Sequence, residues 1–249
     1  MATRAEKTSL AAKLAFTVAI VSGIAAVGAG LITRNEGWHF KAGLMVFRWA
    51  AYGGGVAAVL SLIAVLATVR LSFKRGAALA VVALMISGAL VAVSWHWMDL
   101  SKKVPRIHDI STDTEDPPKL SALLSLRKNA SNSAEYGGPD LAAKQHEAYP
   151  DIKPLILPVP PSEAFDRALT VGRKMGWKIV DENRSEGRIE AVATTFWFGF
   201  KDDVVLRIKR DISGSRLDIR SISRVGISDV GTNAARIRTF LAEMKVSAG

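Results

Sequence analysis

The stretch IHDISTDTEDPP at residues 107–118 groups a histidine with several acids. His108 lies beside Asp109, and Asp113 follows four residues later. An imidazole next to carboxylates can act as an acid/base pair, and oxygen-rich groups suit Ca²⁺, Mg²⁺ or Mn²⁺. The spacing matches neither the EF-hand loop nor the paired histidines of zinc enzymes. The interpretation we favour is a leader segment whose Asp and Thr side chains bond backbone groups in turns.

A second stretch, RVGISDVGTN at residues 224–233, precedes a predicted helix. Free N–H groups and the positive end of the helix dipole attract anions there, so a phosphate or lipid headgroup is one expectation. The alternative is structural: Asp229 pairs with Arg224, and the glycines serve a tight turn. A variant joins both stretches, with His108 and Asp109 returning close to Arg224 and Asp229. The predicted ligand-binding residues are His108, Asp109, Asp113, Arg220, Arg224, Ser228, Asp229 and Asn233, and none is assigned as catalytic or as a metal ligand.

A third stretch, FWFGFKDD at residues 196–203, places four aromatic residues within five positions. Either alternate rings enter a core while Gly199 permits a bend, or the rings enter a headgroup layer or line an apolar pocket. We favour the core, because a small module needs large side chains to fill it.

The elements that position these residues follow from the hydrophobic pattern. A helix is predicted from Ser162 to just before Gly176, where a residue with positive φ ends it. The segments WKIVD, GRIEAVATT, DDVVLRIKR and SRLDIRSIS alternate as strands, and a second helix follows from about Thr232 or Asn233. Residues 162–249 are therefore predicted as an α+β two-layer module, a four-stranded antiparallel sheet with two helices on one face. All nine prolines lie between Pro105 and Pro161, so residues 104–161 are predicted as a mostly irregular leader and connector, with short amphipathic pieces near residues 120–126 and at 140–149.

The N-terminal part is dominated by three runs without a charged residue, at 14–33, 49–69 and 76–98. Each run is long enough to cross the roughly 30 Å hydrocarbon layer as a helix, so residues 1–103 are predicted as three transmembrane helices. Trp38, Trp49, Trp95 and Trp97 fall at one end of these runs and are predicted to lie at the membrane interface. The absence of charges within the runs argues against an ion pump or proton relay.

Charge and cysteine content narrow the function. Of the net charge of +10, residues 1–103 carry +8 (11 basic, 3 acidic) and residues 104–249 carry +2 (22 basic, 20 acidic). The basic excess therefore flanks the membrane runs, which argues against a nucleic-acid partner. The basic loop RLSFKR at 70–75 favours a cytoplasmic N-terminus, which would place the module outside. The lack of cysteine excludes thiolate chemistry and disulfides, and no cofactor is expected.

The motifs resemble those of a known family. IHDISTDTEDPP, ATTFWFGFKDDVVLRI at 193–208 and SISRVGISDVGTNAARI at 221–237 are similar, in order, to signatures of the family called domain of unknown function 1499. The resemblance covers about residues 105–245, and residues 1–103 resemble the membrane-spanning extension of some bacterial members. The resemblance implies no established activity and no site residues, but it implies that the leader belongs to the same module as the sheet.

These observations predict a multi-pass inner-membrane protein whose periplasmic module binds a membrane lipid, an anionic small molecule or an envelope protein. The alternative is a metal-dependent or acid/base envelope hydrolase that uses His108, Asp109 and Asp229.

Overall fold

The computed structural model describes residues 10–37, 39–71 and 74–246. The chain divides into two compact units. The first, the helical unit, comprises the residues up to 99 together with 196–199. The second, the sheet unit, comprises residues 100–195 and those from 200 onward.

The helical unit is built from three long helices, α1 (Leu10–Arg34), α2 (Phe40–Leu71) and α3 (Lys74–Lys103). All three are long and apolar enough to cross a membrane. The helices extend beyond the charge-free runs because backbone hydrogen bonding continues into the polar flanks. The protein is therefore a membrane protein by the length and composition of these helices.

Small residues form the contacts between these helices. On α1 the buried positions recur every three or four residues: Ala12, Ala15, Ala19, Ser22, Ala26, Ala29, Gly30 and Thr33. At Gly53 of α2, an added Cβ would lie 2.3 Å from Ser22 Oγ, so only glycine permits this approach. The buried hydroxyl of Ser61 donates to the carbonyl of Ala57 at 2.6 Å, which leaves it satisfied without a charged partner.

The sheet unit contains a six-stranded antiparallel sheet. Its strands are β1 (Asp109–Ser111), β2 (Leu155–Leu157), β3 (Lys178–Asn183), β4 (Arg188–Thr194), β5 (Lys201–Asp211) and β6 (Gly214–Ser223). The strand order is β1-β6-β5-β4-β3, and β2 also pairs with β6. The sheet therefore has six strands, and the prediction of four strands is wrong. Both additional strands come from the segment predicted as irregular, because β6 supplies an edge on which three-residue pieces of the leader and connector pair.

Helices cover one face of this sheet. The unit also has α4 (Gly138–Ala148), α5 (Pro161–Lys174) and α6 (Thr232–Val246). The core on this face joins side chains of α5 and α6 to alternate residues of the central strands, including Phe165, Leu169, Leu206, Leu217, Ile219, Ile237 and Phe240. Trp177 stacks on Phe240 with ring centroids 5.1 Å apart. The alternation that predicted the strands therefore also identifies the buried face.

The connector covers the other face. A short 3₁₀ helix, Ala122–Arg127, packs Leu123 against Val192, Val205 and Ile222. Asp203, Asp218 and Arg220 on this face are buried, whereas the Lys209 side chain stays more than half exposed.

Candidate functional site

Part of the leader forms the edge strand β1, and pairing with β6 fixes the position of Asp109. Asp109 pairs with Ile222 of β6 in the sheet register. Its carboxylate accepts two hydrogen bonds from the guanidinium of Arg220, at 2.9 and 2.7 Å, and the two side chains are only 4% and 2% exposed. Two predicted ligand-binding residues thus bind each other. Arg220 also donates to the carbonyls of Pro118 and Ala134, so the pair holds the connector on the sheet.

Asp113 is bound in the same manner. Its Oδ1 accepts the backbone N–H groups of Glu115 and Asp116 at 3.1 and 2.9 Å, which closes a turn. Its Oδ2 accepts hydrogen bonds from Arg207 and Arg216 at 2.9 and 2.8 Å. Burial raises the pKa of Asp113, but the two backbone donors and the two guanidinium charges outweigh it and hold the pKa below the ordinary carboxyl range.

Arg224 lies next to a second buried carboxylate. Its Nη2 donates to Asp203 Oδ1 at 2.7 Å, and Arg127 donates to Asp203 Oδ2 at 2.5 Å. The side chain of Asp203 is fully buried. Arg127 also bonds the carbonyl of Asn132 at 2.9 Å. Arg224 therefore pairs with Asp203, not with Asp229 as the structural alternative expected, because antiparallel pairing sets β5 beside β6 at this end.

The start of α6 is occupied by Asp229. Its two carboxylate oxygens accept the backbone N–H groups of Gly231 and Asn233 at 2.8 and 3.0 Å. The N–H groups that would attract an anion thus already bind a carboxylate of the chain. Burial raises the pKa of Asp229, and the neighbouring charge of Asp202 acts in the same direction. The adjacent Ser228 accepts the backbone N–H of Val230 at 3.2 Å through its hydroxyl, so it belongs to the same turn.

The two sequence motifs meet at Asn233. Its Nδ2 donates to the carbonyl of His108 at 3.1 Å and to the hydroxyl of Ser223 at 2.9 Å. The backbone N–H of Asp229 donates to the carbonyl of Ile107 at 3.1 Å. The expectation that the leader returns close to Asp229 agrees with these contacts, and backbone groups make them.

The chemistry open to this junction is limited. The His108 ring lies 3.3 Å from the carbonyl of Ile227 through Nδ1. Within the described ranges, no group of three or more His, Asp or Glu residues could hold a metal ion. The contact described for the His108 ring is therefore with a backbone carbonyl.

Besides Arg127 and Asp203, the buried polar residues Glu190 and Gln145 were missed by the sequence reasoning. The carboxylate of Glu190, fully buried in β4, accepts the backbone N–H groups of Ser121, Ala122 and Leu123 and so holds the 3₁₀ helix. Gln145 of α4 bonds both backbone groups of Ser111 and completes the edge of β1. Glu190 could have been noticed in the sequence, because it is an acidic residue within the otherwise apolar strand β4. No local pattern identifies Gln145.

Three of the four predicted interface tryptophans lie on helix surfaces. Trp49 is 64% exposed, Trp95 65% and Trp97 45%, while Trp38 lies outside the described residues. Trp49 packs edge-on against Tyr52 with ring centroids 5.7 Å apart. Their place at the membrane interface stays a prediction.

The aromatic stretch forms the turn between β4 and β5. The backbone N–H of Thr195 donates to the carbonyl of Phe200 at 2.9 Å, and Gly199 has φ +68°. Phe196 is 93% exposed, so this ring does not enter a core. The bend expected at Gly199 is present, because only a residue without Cβ adopts this φ freely.

The sheet unit carries two open grooves. One, of about 410 Å³, is bordered by Phe165, Arg184 and Ile208. The other, of about 300 Å³, is bordered by Pro118, Arg207 and their neighbours.

A family model described as "Protein of unknown function (DUF1499)" matches residues 109–244. No curated protein matches the chain. Because the match covers more than half of the chain, the protein belongs to this family. The matched region includes β1 through most of α6, so the leader strand and the sheet are one family domain, as the resemblance implied.

Proposed function

We propose that this chain is a membrane-anchored protein of the bacterial cell envelope, whose sheet unit acts by binding on the periplasmic side of the inner membrane. Three apolar helices supply the anchor. The predicted ligand is a lipid, an anionic small molecule or an envelope protein. The proposal is one of binding rather than catalysis.

The observation that carries this proposal is the internal pairing of the charged groups. Asp109 binds Arg220, Asp113 binds Arg207, and Asp203 binds Arg224. Removing either partner of such a buried pair leaves an uncompensated charge, so these residues support the fold and are not free for proton transfer. We therefore infer that a ligand binds at the surface of the sheet unit, where open grooves and exposed side chains are present.

The orientation rests on the distribution of basic residues. The stretch RLSFKR at 70–75, where α2 ends and α3 begins, carries Arg70, Lys74 and Arg75. Short loops rich in Lys and Arg stay in the cytoplasm, and three spans then place the C-terminus on the opposite side.

A reporter fused after residue 249 tests the orientation. Alkaline phosphatase is active only outside the cytoplasm, and green fluorescent protein exported in unfolded form does not fluoresce. We expect active phosphatase and no fluorescence at this position. Fluorescence without phosphatase activity would place the sheet unit in the cytoplasm and refute the localisation.

A further inference from the structure

The groove of about 410 Å³ lies between the start of α5, the turn from β3 to β4 and the end of β5. Its apolar border comes from Pro161, Phe165 and Ile208. Phe165 and Ile208 belong to the core and are 3% and 4% exposed, so this border is rigid. A groove of this size is within the range of small-ligand sites. The same end of the sheet bears none of the predicted ligand-binding residues.

Basic groups outnumber acidic ones along the groove. Arg184, Lys209 and Arg210 line it, against the single acid Glu186. Glu186 is itself paired with Arg188. Arg210 is exposed and has no hydrogen bond or ion pair within the described ranges. The groove therefore presents an excess of positive charge, with at least one guanidinium available to a ligand.

The other two cations have weak attachments. Lys209 alternates with Ile208 and Arg210 along β5, so its side chain projects from the opposite face of the sheet, where Nζ lies 3.9 Å from Asp116 Oδ2. Arg184 lies 4.7 Å from the centre of the Phe165 ring and pairs with the exposed Asp166. Exposed ion pairs are weak, so an incoming anion can replace Asp166 as the partner of Arg184 at low cost.

A hydroxyl group adjoins the cations. Ser162 lines the groove at the first turn of α5, and the N-cap residue Pro160 makes no side-chain hydrogen bond to that turn.

We propose that this groove binds a phosphate group attached to an apolar or sugar body, an inference that rests on the binding role proposed above and names its ligand class. Arg210 and Arg184 contact the phosphate oxygens, and Ser162 donates a hydrogen bond. Pro161, at the border of the groove, contacts the body of the ligand. A phosphate suits this set because several donors converge from different directions on one multiply charged group.

Calorimetric titration of the full-length protein in phosphatidylcholine nanodiscs tests this site. The probes are inorganic phosphate, glycerol 1-phosphate and dihexanoyl phosphatidic acid, a soluble short-chain phospholipid. The variant is Arg184→Gln with Arg210→Gln. The matched control is Lys144→Gln with Lys153→Gln, which removes the same charge from two exposed positions outside the groove.

We expect saturable binding of at least one organic phosphate, weakened tenfold or more in the groove variant and less than twofold in the control. Stronger binding of the phosphatidic acid would identify a lipid headgroup, and equal binding of glycerol 1-phosphate would identify a soluble phosphate ester. Absence of saturable binding by every probe, or equal weakening in both variants, would refute the site. Either result would leave the reporter experiment, and hence the membrane anchoring and orientation, unaffected.

Discussion

Replacing Asp109 with alanine tests whether the buried ion pair stabilises the sheet unit. The Arg220 guanidinium is 2% exposed, and Asp109 supplies two of its hydrogen bonds. Asp109→Ala leaves this cation buried without its counter-charge, which typically costs about 3–5 kcal/mol. We expect the free energy of opening of β6 amides to fall by this amount, because β6 is the strand on which β1 pairs.

Hydrogen exchange followed by mass spectrometry measures this change in the detergent-solubilised protein. A loss of about 3–5 kcal/mol corresponds to exchange that is roughly 150- to 5,000-fold faster. Replacing both partners, Asp109→Leu with Arg220→Met, should recover about 2 kcal/mol relative to the single variant, because no unpaired charge remains.

A surface pair provides the control for this prediction. Arg173 and Glu182 are 2.5 Å apart with side chains 59% and 37% exposed, so Glu182→Ala should cost less than about 1 kcal/mol. A change below about 1 kcal/mol for Asp109→Ala as well would show that the buried pair does not stabilise the sheet unit.

Three further outcomes follow from other buried groups. Gln145→Ala should accelerate exchange of the Ser111 amide about fivefold or more, since a lost hydrogen bond to a buried group costs about 1–3 kcal/mol. Glu190→Ala should destabilise the 3₁₀ helix by about 3 kcal/mol, measured at the Leu123 amide, because three backbone N–H groups lose their acceptor. The pKa of Asp113 is lower in the folded than in the unfolded protein, so its contribution to stability is complete above the ordinary carboxyl pKa and disappears as pH falls through the folded value. Unfolding followed from pH 7 to pH 2 should therefore show a smaller acid-induced loss of stability for Asp113→Asn than for the wild type, and an equal loss would contradict the lowered pKa.

The sequence predicted the elements whose signal is local. The helices α1, α2 and α3 follow from long apolar runs, and the strands β3 to β6 follow from alternation over six residues or more. Strands β1 and β2 were missed because three residues give no periodicity, and their extended conformation depends on pairing with β6. Only the assembled sheet creates that edge.

The candidate site shows the same limit. Asp109 and Asp113 in one motif and Arg224 in another are visible in the sequence, but their partners are not. Asp109 and Arg220 are 111 positions apart, and Asp113 and Arg216 are 103 apart. Long-range pairing of this kind carries no local signature, so the partners of these residues could not be predicted from the sequence.

Cysteine labelling tests most directly whether the protein is anchored in the membrane with the sheet unit outside the cytoplasm. The method is available because the chain contains no cysteine of its own. A single cysteine is placed at Lys144 of α4 or at Lys13 of α1, both of which are exposed. Intact spheroplasts are then treated with a membrane-impermeant maleimide. Labelling of Lys144→Cys in intact spheroplasts, with Lys13→Cys labelled only after lysis, is the predicted result. The reverse pattern, or equal labelling of both positions before lysis, would contradict it.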